Sequence, residues 1–168
     1  MPWLLGGADL GNRVLEVGAG PGIGTEKLLE HAEVVAALEP DAGYLRSLRA
    51  RSRHSSIAVI AGDATELPFK PQVFSSVVAI MMLHHVWPAD AQERVVTEAF
   101  RVLRPGGVFI GIDAKPEGFK SRIVHCGDHV LPIDIQYLLA KFEAAGFQHL
   151  DIRERGAKFR FRAVRPLR

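Results

Sequence analysis

The sequence predicts a doubly wound α/β domain, a three-layer α/β/α sandwich on a seven-stranded, mostly parallel sheet. Three observations carry this. Short apolar runs alternate with helix-period segments along the whole 168-residue chain, which implies parallel strands joined by helices on both faces. The strand runs are nearly continuous in Val, Ile, Leu and Ala rather than alternating, as strands covered on both sides are. The last two runs are separated only by "RGA", which is hairpin length, so the sheet should end in an antiparallel pair.

Taken in order, "RVLEVG" (13–18) reads as a buried first strand and "GTEKLLEHA" (24–32) as the helix after it. "EVVAALE" (33–39) and "AGYLRSLRARS" (42–52) repeat the unit. "SIAVIAGD" (56–63) gives a third strand and "FSSVVAIMM" (74–82) a fourth. In "PADAQERVVTEAFRVLRPGG" (88–107), Asp90 followed three residues later by Glu93 forms a capping-box pattern that marks a helix start. Val95, Val96, Ala99 and Leu103 share one face, and Pro105 with Gly106 and Gly107 stops the helix. "GVFIGID" (107–113) is the fifth strand. Asp134 caps a helix striped by Ile135, Leu138, Leu139 and Phe142 and closed by Gly146. The runs "FQHLDIRE" and "KFRFRAV" form the terminal hairpin.

Composition narrows the class. Apolar residues make up 48% and charged residues 24%, proportions of a soluble globular protein. The net charge of +2 argues against a polyanion binder as a whole. The surplus is uneven: residues 153–168 carry seven Arg/Lys against one acid, Glu154, and Arg46, Arg49, Arg51 and Arg53 form a second cluster. Solvated faces are the plain reading of both, and a phosphate or nucleic-acid patch the sharper one. Cys126 stands alone, so no intrachain disulfide forms and a reducing compartment is expected. The longest apolar run, residues 77–83, is far short of the ~20 residues that span a bilayer. "MPWLLGGADLGN" has no basic start and no long apolar core, so it is no secretion signal and the cytoplasm is the expected location.

The chemistry concentrates in "EVGAGPGIGT" (16–25). A dinucleotide fingerprint needs glycines at relative positions one, three and six. Gly18 and Gly20 fit, but the sixth position is Ile23; the pattern is E-x-G-x-G-x-G. A pyrophosphate binds free N–H groups at a helix start and is repelled by a carboxylate, whereas Glu16 suits a cationic ligand group. Both departures count against a nicotinamide oxidoreductase. Glu39, at the end of the second strand, suits the two ribose hydroxyls, and Asp63, at the end of the third, an exocyclic adenine amine. A ligand with adenosine at one end, a positive amino acid at the other and no phosphate is required. S-adenosylmethionine fits.

Here the chain resembles the class I S-adenosylmethionine-dependent methyltransferases, above all the ubiquinone/menaquinone-biosynthesis-like (methyltransferase type 11) group. The resemblance covers nearly the whole chain and rests on five segments in order: "VLEVGAGPG", "LEPD", "GDATELPF…F", "VVAIMMLHHV" and "EAFRVLRPGGVFI". It implies a strand order of 3-2-1-4-5-7-6 with strand seven antiparallel. It also implies that Glu16 sits near the methionine end and that Gly18, Ala19 and Gly20 give backbone approach. Glu39 would hold the ribose, Pro40 pack on adenine, Asp63 with Ala64 read the adenine edge, and the Ala79 carbonyl meet the ammonium.

The chain departs from the family pattern in two respects. Ser75 stands where the family commonly has Asp. Only about a dozen residues precede the first strand and residues 114–132 form a short insert, so a single minimal domain without a sizeable lid is expected. A large acceptor, or a second copy of the chain in a homodimer, would then complete an open site. A protic acceptor needs a base, for which His84, His85, His125 and His129 are the candidates. "HCGDH" (125–129) matches no standard zinc spacing, so no metal is expected, and Cys126 has no activating context as a nucleophile. No (N/D)-P-P-(Y/F) element follows the fourth strand, which counts against methylation of exocyclic amines. The expected activity is methyl transfer to a small or medium-sized organic acceptor. The alternatives are an RNA/DNA methyltransferase using the basic C-terminal hairpin and a non-catalytic cofactor- or partner-binding member.

Overall fold

Seven strands join into one sheet in the computed structural model, which describes residues 1–53, 56–115, 131 and 133–168. They are β1 (Arg13–Val17), β2 (Val34–Glu39), β3 (Ile57–Ala61), β4 (Phe74–Ile80), β5 (Leu103–Ala114), β6 (Gln148–Arg155) and β7 (Lys158–Val164). The helices are α1 (Pro2–Leu5), α2 (Ile23–Leu28), α3 (Ala42–Arg51), α4 (Ala89–Val102) and α5 (Ile135–Ala145). The order is β3-β2-β1-β4-β5-β7-β6, parallel from β3 to β5, with β7 antiparallel to both neighbours. Sheet order and strand directions agree with the expectation.

Adjacent strand residues bury on opposite faces, which explains the unbroken apolar runs. Leu15, Val77 and Phe109 pack with Val95, Ala99 and Phe142 of α4 and α5. Their neighbours Val14, Val78 and Ile110 pack with Leu4, Leu5 and Leu28 of α1 and α2. Leu48 of α3 joins Ala37 on that second face. Phe109 meets Phe142 and Phe161 edge-on at centroid distances of 5.7 and 5.1 Å, the geometry aromatic quadrupoles favour. Burying each such ring contributes about 1.5–3 kcal/mol. The Ser75 hydroxyl accepts from the Arg13 N–H at 2.9 Å and donates to its carbonyl at 2.8 Å, fastening β4 to β1.

Several element boundaries differ from expectation. Asp90 does not cap α4: the N-cap is Pro88 with no side-chain bond, and Asp90 lies within the first turn, paired with Arg94. The helix ends at Val102, before Pro105, because Leu103 is already extended and opens β5. The Pro105–Gly106–Gly107 segment lies within that strand, exchanging backbone bonds with Arg165. Helix α2 spans only six residues, and α1 precedes β1 where no element was expected. Helix α5 follows the sequence closely, capped by Asp134 on Gln136 and Tyr137 and closed by the left-handed Gly146.

The basic C-terminal stretch is partly consumed by the fold. Arg160 is buried and bonds Asp151 at 2.9 Å. One nitrogen of Arg165, Nη1, donates to the carbonyls of Phe100, Arg101 and Leu103 at 2.7, 3.2 and 2.8 Å. Arg153 also pairs with Asp151. Among the described residues no helix is long and apolar enough to cross a membrane.

Candidate active site at the strand ends

A cleft of about 1030 Å³ opens at the carboxyl ends of β1 to β4. The chain leaves β1 toward β2 on one side and leaves the adjacent β4 toward β5 on the other. Such a switch point is where doubly wound sheets leave a crevice. Of the expected cofactor residues, Glu16, Gly18, Ala19, Gly20, Glu39, Pro40, Asp63 and Ala64 all line it.

The turn after β1 explains two of its glycines. Gly18 and Gly20 have φ of 67° and 54°, a region where a side chain is strained. A Cβ on Gly18 would fall 2.7 Å from that of Met82, whereas one on Gly20 would meet nothing within 4 Å and point into open space. The Gly20 N–H donates to Glu39 Oε2 at 2.8 Å, and the Asp41 N–H to Oε1 at 2.9 Å. Glu39 is therefore fixed by one bond to each oxygen, and a carboxylate retains further acceptor capacity for a diol. The short α2 supplies no long helix N-terminus for a pyrophosphate.

Glu16 is only 2% exposed, and the Thr25 hydroxyl donates to its carboxyl at 2.5 Å. Burial dominates and pushes its carboxyl up to about 7, with the Thr25 bond opposing. The fourth glycine answers to this side chain: a Cβ on Gly24 would sit 2.5 Å from Glu16 Oε1. A positive ligand group nearby would return Glu16 to the charged form. Asp63 is exposed on the lining, its Oδ1 accepting from the Thr65 N–H at 2.8 Å.

Two expected site residues are not on the lining. Ala79 does not line the cleft: it lies within the sheet, paired with Val17 and Gly111, and the chain leaves the sheet only at Ile80 and Met81, which do line it. His84 is 1% exposed, with Nδ1 2.6 Å from Asp113 Oδ1. Asp113 also accepts from the Leu83 and Ala114 N–H groups, so the pair ties the short 3₁₀ turn Leu83–His85 to β5. His84 is buried there and is not among the lining residues, whereas His85 lines the cleft. His125, Cys126 and His129 lie outside the described residues. The lining also includes Tyr44, Trp87 and Arg94, which sequence reasoning missed. Only their place on the cleft of the folded chain distinguishes them from ordinary surface residues.

A glycine turn after β1 and acids ending β2 and β3, on a sheet closed by an antiparallel β7, define a Rossmann-like nucleoside-binding domain. The chain belongs to the family described as a methyltransferase domain, whose pattern matches residues 15–111. It is 29% identical over 163 residues to a "Probable S-adenosylmethionine-dependent methyltransferase" of Mycolicibacterium smegmatis, covering 88% of this chain and 62% of the relative. It is 32% identical to a chloroplastic 2-methyl-6-phytyl-1,4-hydroquinone methyltransferase of Oryza sativa subsp. japonica, covering 92% and 46%. The chain thus spans about half to three-fifths of the length of these curated relatives. Among solved structures, a protein from Pyrococcus horikoshii superposes with a TM-score of 0.82 at 20% identity, covering 98% of this chain and 86% of that one.

Proposed function

We propose that this chain transfers the methyl group of S-adenosylmethionine to a small or medium-sized organic acceptor. The observation that carries the reading is the convergence of Glu16, Glu39 and Asp63 on one cleft beside a glycine turn open to ligand. When bound, S-adenosylmethionine supplies a methyl group already activated on a sulfonium. In this reading Glu39 holds the ribose hydroxyls, Pro40 packs on adenine, Asp63 and Ala64 read its edge, and Glu16 faces the positive methionine end. Alignment and exclusion of water supply much of the rate of an in-line displacement. His85, on the lining after β4, takes the proton of a protic acceptor. The hydroquinone methyltransferase among the relatives supports an acceptor of this size.

The test is transfer of labelled methyl from S-adenosylmethionine to a panel of phenols, quinols, carboxylic acids and amines. Label in at least one product, with loss of turnover in Glu39→Ala, is expected. Cofactor binding without any transfer across the panel would instead favour a non-catalytic member.

A further inference from the structure

The cleft lining divides by charge. Glu16, Glu39, Asp41 and Asp63, all carboxylates, stand on the side built from β1, β2 and β3. The opposite side, built from the chain after β4 and the start of α4, carries His85, Trp87 and Arg94. Arg94 is the one Arg or Lys on the described lining. It stands one helical turn beyond Ala91, also on the lining, so its face of α4 is the one turned to the cleft. Trp87, on the same lining, is 61% exposed, a large apolar surface of the kind that marks binding sites when it borders a cleft.

We infer that Trp87 and Arg94 form an acceptor subsite for an organic acid, with the carboxylate on the Arg94 guanidinium and the apolar body against the Trp87 indole. This rests on the methyl-transfer reading and names the substrate class for that site. Arg94 donates from Nη1 to Asp90, which is off the lining. Side chains of that pair are 51% and 63% exposed, and such pairs contribute little. A guanidinium has five donors in a planar fork, so it takes a second carboxylate without giving up the first. The charge division also orients the acceptor. The carboxylates of Glu39, Asp41 and Asp63 repel the anionic end from the donor half, and Arg94 holds it on the far wall. The uncharged nucleophilic end is left facing the methyl group.

The experiment uses the full chain saturated with S-adenosylhomocysteine and three acids, para-hydroxybenzoate, cinnamate and octanoate, each paired with its neutral primary amide. Binding is followed by calorimetry and tryptophan fluorescence. At least one acid should bind about tenfold more tightly than its amide, as a charge-assisted bond to one guanidinium allows. Arg94→Gln should bring the two within about twofold, with affinity for S-adenosylhomocysteine unchanged. Asp90→Asn, by freeing the guanidinium, should strengthen the preference. Equal affinity for every acid and its amide, or a preference that survives Arg94→Gln, would overturn the subsite alone. Failure of S-adenosylhomocysteine to bind would overturn the methyl-transfer reading and the subsite with it.

Discussion

Glu16 and Glu39 end neighbouring parallel strands, yet the fold treats them differently. Glu39 receives two backbone N–H bonds, whereas Glu16 is buried with the Thr25 hydroxyl donating to it and its carboxyl is pushed from 4.5 to about 7. A carboxyl raised on folding adds nothing to stability below pH 4.5, where both states are protonated. Stability then falls as pH rises from 4.5 to 7 and levels off above, in total by about 3 kcal/mol at roughly 1.4 kcal/mol per unit. Urea unfolding across that window should show this slope, and Glu16→Gln should flatten it. A cationic ligand draws Glu16 into its charged form, so S-adenosylmethionine should bind more tightly as pH rises through 7, with proton release below it. Glu16→Gln should remove both effects in calorimetry. Both acids were legible in the sequence because strand ends beside a glycine turn restrict what they can face. Arg94 was not, since an arginine on an amphipathic helix looks alike whether it meets solvent or a cleft.

At the scale of elements, the junction between α4 and β5 has no loop, and Arg165 takes its place. Three carbonyls left by the helix end converge on one guanidinium nitrogen. Arg165→Ala should cost about 2 kcal/mol in urea unfolding, with cofactor affinity intact. The turn Leu83–His85 depends likewise on Asp113, buried beneath it. His84→Ala leaves that carboxylate short of a partner and should destabilise the chain by about 2 kcal/mol. It should also lower turnover more than cofactor affinity, because the His85 ring packs against the His84 ring at a centroid distance of 4.1 Å, tilted by 41°. Continuous apolar runs marked the parallel strands, and hairpin spacing marked β7 and the largely exposed edge strand β6. Periodicity misjudged the α4 ends because Asp90 prefers Arg94 to a cap and an extended Leu103 overrides the Pro-Gly-Gly stop. Adjacent histidines could not be told apart, because their facing is set by the 3₁₀ turn and by Asp113, twenty-nine residues away.

Over the whole molecule, charge is distributed differently from the way it reads along the chain. Seven basic residues in the last sixteen suggested a polyanion surface, but Arg160 and Arg165 are committed to Asp151 and to backbone carbonyls. A gel shift with duplex DNA and structured RNA should therefore show no complex at ~150 mM salt, since the phosphate contacts that drive such binding weaken steeply with salt. The sheet order and the cleft at its switch point followed from strand–helix alternation and the family motifs together. The make-up of the cleft wall after β4 did not, because it depends on which helix face a few surface residues occupy. The most direct test of the account is a calorimetric titration of S-adenosylmethionine into the wild-type chain and Glu39→Ala, with NADH as the control ligand. The account predicts saturable one-to-one binding of S-adenosylmethionine, a loss of at least about tenfold in Glu39→Ala, and no binding of NADH. No saturable binding of S-adenosylmethionine, or an affinity untouched by Glu39→Ala, would contradict it.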